Sequence, residues 1–175
     1  MTVLILPGIG NSGADHWQSH WEQANPHYVR VEQRDWDSPH CADWVASLEA
    51  SVKSHGEETI LVAHSLACLL VAHWAAQTTL KIKGALLVAV PNPQGPNFPA
   101  QATGFAPLPR KALPFASMVI ASTDDPYGAI AYAEQCAEIW GSELVNVGEA
   151  GHINGASGLG SWPAGHDLLN ALTLS

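Results

Sequence analysis

Positive charge is scarce in this chain. Lysine and arginine total 7 against 16 aspartates and glutamates, a formal net charge of −9. Nucleic acids and anionic membrane surfaces both bind through basic surface, so neither is expected as a partner. Cysteine is scarce as well. Cys41, Cys68 and Cys136 form an odd set with no close pair, which argues against a disulfide framework and for a reduced, cytoplasmic setting. Long apolar runs are missing: none approaches the ~20 residues of a membrane helix. The opening Met1-Thr2-Val3-Leu4-Ile5-Leu6-Pro7-Gly8 has neither the basic start nor the apolar length of a secretory leader. Repeats and a linker are absent too, so residues 1–175 are expected to form a single domain.

What is present is an alternation. The chain is 47% hydrophobic, and short apolar runs alternate with longer amphipathic ones, the pattern of βαβ units and a parallel sheet. Strands are expected at Val3–Leu6, Tyr28–Val31, Thr59–Ala63, Gly84–Val90, Met118–Ala121 and Leu144–Val147. Between them the spacing predicts helices over Asp15–Ala24, from Ser38-Pro39 to about Lys53, over Leu66–Gln77 and near Tyr127–Trp140. Ser161-Trp162-Pro163 opens a last helix. Gly84–Val90 is nearly continuous in apolar residues, as a strand buried on both faces should be. One stretch breaks the rhythm: Pro91 to Pro114 holds seven of the twelve prolines, and a connection that long is either a working part of the site or a plain surface loop.

The chemistry concentrates at Ala63-His64-Ser65-Leu66-Ala67, between the third strand and an apolar helix. A serine there reads as a nucleophile elbow. The usual G-x-S-x-G has both glycines replaced by alanine, the next smallest side chain, so the sharp turn remains feasible. A serine hydroxyl needs a base, and the base needs an orienting carboxylate. In the α/β-hydrolase order Ser, Asp, His, each is expected in a loop after a strand end. His152, in the glycine-rich loop after the last strand, supplies the base. Asp124 and Asp125, after the fifth strand, both qualify as the carboxylate, although Pro126 makes helix capping a competing role for either.

An oxyanion hole needs two fixed N–H donors. Leu66, directly after the serine, is one; the loop Pro7–Gly13 supplies the other, with Ile9 favoured and Gly10 as the alternative. The same loop matches G-x-G-x-x-G through Gly8, Gly10 and Gly13, and Asp35 and Asp37 lie 22 and 24 residues past Gly13. A dinucleotide site is therefore a rival reading. His16 and His20 have the i, i+4 spacing of a zinc helix but lack its glutamate, so no metal is expected. His64, His73 and His166 read as structural or satisfied groups. Trp17, Trp21 and Trp44 fall at core positions, Trp36 in a loop, and Trp162 either in packing or on a pocket wall.

With these residues assembled, the chain resembles the small serine hydrolases of the retinoblastoma-binding protein nine type. The matching pieces are Leu6-Pro7-Gly8 with Asn11-Ser12-Gly13 and His16-Trp17-Gln18, Ala63-His64-Ser65-Leu66, Ser122-Thr123-Asp124-Asp125-Pro126-Tyr127, and Gly151-His152-Ile153-Asn154. The later Ser157-Gly158 and Trp162-Pro163 also match bacterial members. The resemblance implies a compact, capless α/β-hydrolase: three layers, α/β/α, around a mainly parallel six-stranded sheet in the order 2-1-3-4-5-6. It implies Asp125, the aspartate directly before the proline, as the third member after Ser65 and His152. It further implies hydrolysis of a small carboxylester or thioester without a cofactor. A non-catalytic interaction module on the same scaffold is the alternative, which leaves a protein partner open. The Pro91–Pro114 and Gly155–Trp162 segments are expected to wall the pocket.

Overall fold

Alternation at a period of two puts successive strand side chains on opposite faces, and in this chain both sets are apolar. A computed structural model describes residues 1–174. Six strands, β1 (Thr2–Leu6), β2 (Tyr28–Arg30), β3 (Thr59–His64), β4 (Gly84–Val88), β5 (Ala116–Ala121) and β6 (Glu143–Asn146), form one sheet in the order β2-β1-β3-β4-β5-β6. Every pairing is parallel. One face buries Leu4, Leu6, Leu61, Ala63, Leu87 and Val119 under α2 (Cys41–His55), α3 (Leu66–Ala75) and α4 (Ile130–Trp140). The other buries Val3, Ile5, Ile60, Val62, Leu86 and Ile120 under α1 (Trp17–Ala24) and α5 (Pro163–Leu174). This is the three-layer α/β/α fold expected, with the order expected. No helix among the described residues is long and apolar enough to cross a membrane.

Element starts depart from expectation, each for a local reason. α1 begins at Trp17 rather than Asp15, because His16 is the cap: its Nδ1 accepts from the Gln18 N–H. α2 begins at Cys41 rather than at Ser38-Pro39. The Asp35 carboxylate accepts from the N–H groups of Asp37 and Ser38 and spends that stretch on a turn. α4 begins at Ile130 rather than at Tyr127, after a turn in which Asp125 accepts from the Tyr127 N–H. β4 stops at Val88, because Ala89 takes a left-handed φ of 59°; the next residues leave the sheet for the proline-rich stretch. That stretch is anchored rather than loose: Phe105 is fully buried, and its carbonyl is bonded to His73 Nε2.

At the carboxyl edge of the sheet one side chain ties two strands together. Gln18 of α1 is fully buried. Its amide nitrogen donates to the carbonyls of Leu6 and Val62, both at 3.1 Å, and its amide oxygen accepts from Ser12 Oγ at 2.7 Å. It thereby bridges carbonyls near the ends of β1 and β3 and seats the β1–α1 loop. Gln18→Leu removes all three bonds and leaves the Ser12 hydroxyl without its acceptor, and each such bond contributes roughly 0.5–1.5 kcal/mol. Urea unfolding is expected to show a stability loss of at least ~2 kcal/mol with an unchanged m-value.

Candidate active site

The site starts from a backbone constraint. Ser65 has φ 56° and ψ −123°, a conformation that L-residues adopt at a cost of about 1–3 kcal/mol. The β3 ladder runs into it, since the Ser65 N–H donates to the Val88 carbonyl at 2.9 Å, and α3 leaves at once from Leu66. The flanking Ala63 and Ala67 are both fully buried, so the turn is made with alanine where glycine is usual. Gly8 of the β1 loop approaches closely. A Cβ placed on it would meet the His64 carbonyl and Ser65 Cβ, each at 3.1 Å, so a side chain there would have to push the turn by a few tenths of an ångström.

Three loops converge on that serine. Ser65 Oγ lies 2.7 Å from His152 Nε2 and donates its proton there. The Nδ1 of His152 lies 2.9 Å from both carboxylate oxygens of Asp125. Because an ionised carboxylate only accepts, that nitrogen carries the hydrogen and Nε2 is free to act as acceptor. Asp125 also accepts from the Tyr127 N–H, so the capping role and the orienting role fall on the same side chain. Asp124 is placed differently. It accepts from Ser122 Oγ at 2.7 Å and from the Gly151 N–H at 2.8 Å, and these bonds hold its carboxyl below the usual carboxylate range. It moors the histidine loop instead of touching the imidazole.

The two candidates for the second N–H donor separate clearly. The Gly10 N–H is already spent on the Trp36 carbonyl at 2.8 Å, whereas the Ile9 N–H has no acceptor among the described residues. Leu66 opens α3, so its N–H has no intrahelical acceptor. Ile9 and Leu66 both line a cleft of about 860 Å³ that also holds Ser65 and His152. Pro91, Asn97, Phe98, Pro99 and Gln101 form one wall, and Asn154, Gly155 and Ala156 form part of another. The first portion of the proline-rich stretch therefore reaches the cleft, and so does the start of the 155–162 loop. Trp162 does not. It is buried against Trp17 and Trp21, with ring centroids 5.0 and 6.1 Å away. The ring of Tyr127 packs 4.5 Å from that of His152.

Two further histidines lie beneath the site. His64 is buried and donates Nε2–H to the His152 carbonyl at 2.9 Å. The His16 ring meets it edge-on at 4.7 Å. Burial first, then the nearby Arg30 and His152, lowers the pKa of His16 to about 4. Burial, reinforced by His16 and His152, also pushes His64 well below the ordinary histidine value. His20 does not join this cluster, and no group of three metal-ligating side chains occurs among the described residues. His166 pairs with Tyr28 Oη at 2.9 Å. The contributions of Gln18 and Trp17 to this architecture were not readable beforehand. The adjacency His16-Trp17-Gln18 was visible, but which way each side chain points depends on the fold.

A parallel sheet with a serine on a strained strand-to-helix turn, bonded to a histidine and an aspartate from later strand ends, defines the α/β-hydrolase class. The chain belongs to the serine hydrolase family: the model of that family matches residues 3–171. Among solved structures, a YdeN-like hydrolase from Pectobacterium atrosepticum is 33% identical, with 98% of this chain and 90% of that one covered and a TM-score of 0.86. The ydeN gene product from B. subtilis is 21% identical over 99% of both chains, with a TM-score of 0.80. The esterase RhEst1 from Rhodococcus sp. ECU1013 is 14% identical over 99% of this chain and 90% of that one, with a TM-score of 0.68. The last two are likenesses of fold. A search of curated proteins finds no match.

The buried histidines predict an acid limb of stability. His16 and His64 stay neutral in the folded protein, while in the unfolded chain they take up protons near the ordinary value of 6.5. Stability is then full above pH 6.5 and is lost as pH falls from 6.5 towards about 4. His16→Asn keeps a cap acceptor and removes one titration. Urea midpoints measured across this window are expected to fall less steeply for the variant than for the wild type.

Proposed function

We propose that the protein hydrolyses a small carboxylester or thioester through a Ser65–His152–Asp125 triad. The observation that carries this reading is the continuous hydrogen-bonded chain from Ser65 through His152 to Asp125 beside two unspent N–H groups. Ser65 Oγ attacks the carbonyl carbon as His152 Nε2 takes its proton, and Asp125 stabilises the imidazolium that results. The tetrahedral oxyanion sits between the N–H groups of Leu66 and Ile9. Collapse breaks the ester or thioester bond, and His152 returns the proton to the departing alcohol or thiol. Water, deprotonated by the same imidazole, then attacks the acyl-Ser65, releases the carboxylic acid and restores the serine. No step calls for a cofactor.

The walls of the cleft support a small substrate. Ile9, Phe98, Pro99 and Tyr127 offer apolar contact, while Asn97, Gln101 and Asn154 offer hydrogen bonds. Family membership and the resemblance to the retinoblastoma-binding protein nine type agree with this chemistry. The low cysteine content agrees with action in the cytoplasm.

A fluorophosphonate probe and a panel of p-nitrophenyl esters of increasing acyl length test the reading. Wild type is expected to label and to turn over, and Ser65→Ala to do neither. Asp125→Asn is expected to lower kcat by roughly 10³–10⁴-fold, as loss of the orienting carboxylate does elsewhere. Asp124→Asn, which touches only the loop, is expected to cost about tenfold or less. Wild type that neither labels nor turns over would leave the scaffold as an interaction module, and turnover by Ser65→Ala equal to wild type would refute Ser65 as the nucleophile.

A further inference from the structure

His152 can meet Ser65 only if its backbone is held, and that backbone is strained. Ile153, the next residue, has φ 48°. For a β-branched residue this is a genuine outlier that surrounding contacts must enforce. The preceding residues have their own moorings: Ser122 Oγ and Ser157 Oγ grip Ala150, and Asp124 grips Gly151. The two residues that carry the imidazole and the strain are gripped differently. Their consecutive carbonyls accept from two long-range side chains. His64 Nε2 donates to the His152 carbonyl at 2.9 Å, and Trp17 Nε1 donates to the Ile153 carbonyl at 2.8 Å. Both donors are buried, at 5% and 1% exposure, and His64 also touches the cleft wall.

We propose that His64 and Trp17 are positioning residues that clasp the His152-Ile153 carbonyls and so fix the imidazole of His152 at Ser65. The inference rests on the reading of His152 as the general base. His64 is the last residue of β3 and directly precedes Ser65. Through its side chain the nucleophile's own strand reaches across to the base, and the spacing of the pair no longer relies on the 2.7 Å Ser65–His152 bond alone. Trp17, the first residue of α1, closes the clasp from the other side. Its ring packs on Trp21 and Trp162 at 4.7 and 5.0 Å, a seat that fixes the direction of its N–H. A bond to a carbonyl requires the hydrogen on His64 Nε2, and the Nε2–H tautomer of the neutral imidazole supplies it. His64 therefore clasps without placing a second positive charge 5.0 Å from the ring that becomes imidazolium.

Three variants test the clasp: His64→Ala, His64→Gln and Trp17→Phe. Glutamine carries an amide N–H at about the reach of imidazole Nε2, and phenylalanine keeps ring packing without the donor. Steady-state kinetics on p-nitrophenyl acetate are read together with the low-field NMR signal of the His152 Nδ1 proton, and urea melts establish that each variant is folded. His64→Ala is expected to lose ~100-fold in kcat with KM within about twofold, the scale of a small misplacement of a catalytic group. His64→Gln is expected to recover to within about tenfold of wild type, and Trp17→Phe to lose about tenfold. The Nδ1 signal is expected to fade in His64→Ala and to return in His64→Gln. A folded His64→Ala with wild-type kcat and an intact signal overturns the clasp, and so does a folded His64→Gln no better than alanine. If wild type shows no turnover, the hydrolase reading fails by itself, and the Nδ1 series still decides whether the clasp holds the ring.

Discussion

Everything at this site depends on one strained residue. Ser65 stands at φ 56°, ψ −123°, between the last residue of β3 and the first of α3, and that conformation aims its hydroxyl out of the sheet edge while its N–H stays in the ladder with Val88. The strain can be tolerated because the surroundings leave no alternative. β3 lies between β1 and β4 and is buried along its whole length, and α3 follows as a helix with almost every residue buried. Neither can slide to relax the turn. Alanine stands at positions 63 and 67, both fully buried, and Gly8 of the neighbouring loop comes close to Ser65 itself.

In the proposed mechanism a rigid nucleophile is useful only if the base is equally rigid, and His152 sits on a loop. Between Ala150 and Asn154 that loop spends its backbone groups on side chains from four other places: Ser122 and Asp124 after β5, Ser157 in its own turn, His64 at the end of β3, and Trp17 at the start of α1. The loop is thus ordered by polar bonds to fixed partners rather than by regular structure. The histidines under the site follow the same logic. His16 and His64 are buried and held neutral, which satisfies the geometry without competing for the positive charge that the proposed mechanism places on His152. The cost is a protein whose stability is tied to those neutral states.

The sequence was legible where a pattern is local. Strand positions came within one or two residues, because each short apolar run and the turn residues that end it are written in the strand itself. Helix starts were less legible. Ser38-Pro39 carries a good starting signal, yet the helix waits until Cys41, since Asp35 captures the N–H groups of Asp37 and Ser38 first. Asp125 illustrates the opposite case: capping and orientation looked like rivals, and one carboxylate does both, with Oδ1 accepting from the Tyr127 N–H while both oxygens face His152 Nδ1. The glycine-rich first loop resembled a dinucleotide fingerprint. In the fold the Gly10 N–H is committed to Trp36, and the Asp35 carboxylate is committed to a turn.

By itself the sequence determined the order of elements, the faces they bury, and the three loops that carry Ser65, Asp125 and His152. Each of these follows from residue type and spacing along a few neighbours, and the two-residue and 3.6-residue periods translate them directly into geometry. Tertiary structure alone decided which way the shared resources go. It chose Ile9 over Gly10 as the N–H left unspent, seated Trp162 in packing instead of on the cleft, and turned Gln18, His64 and Trp17 towards carbonyls far away in the chain. Those bonds join residues 88 and 136 positions apart for His64 and Trp17. No local pattern encodes such pairs, because a donor finds its acceptor only once the sheet has brought β1, β3 and the last loop to the same edge.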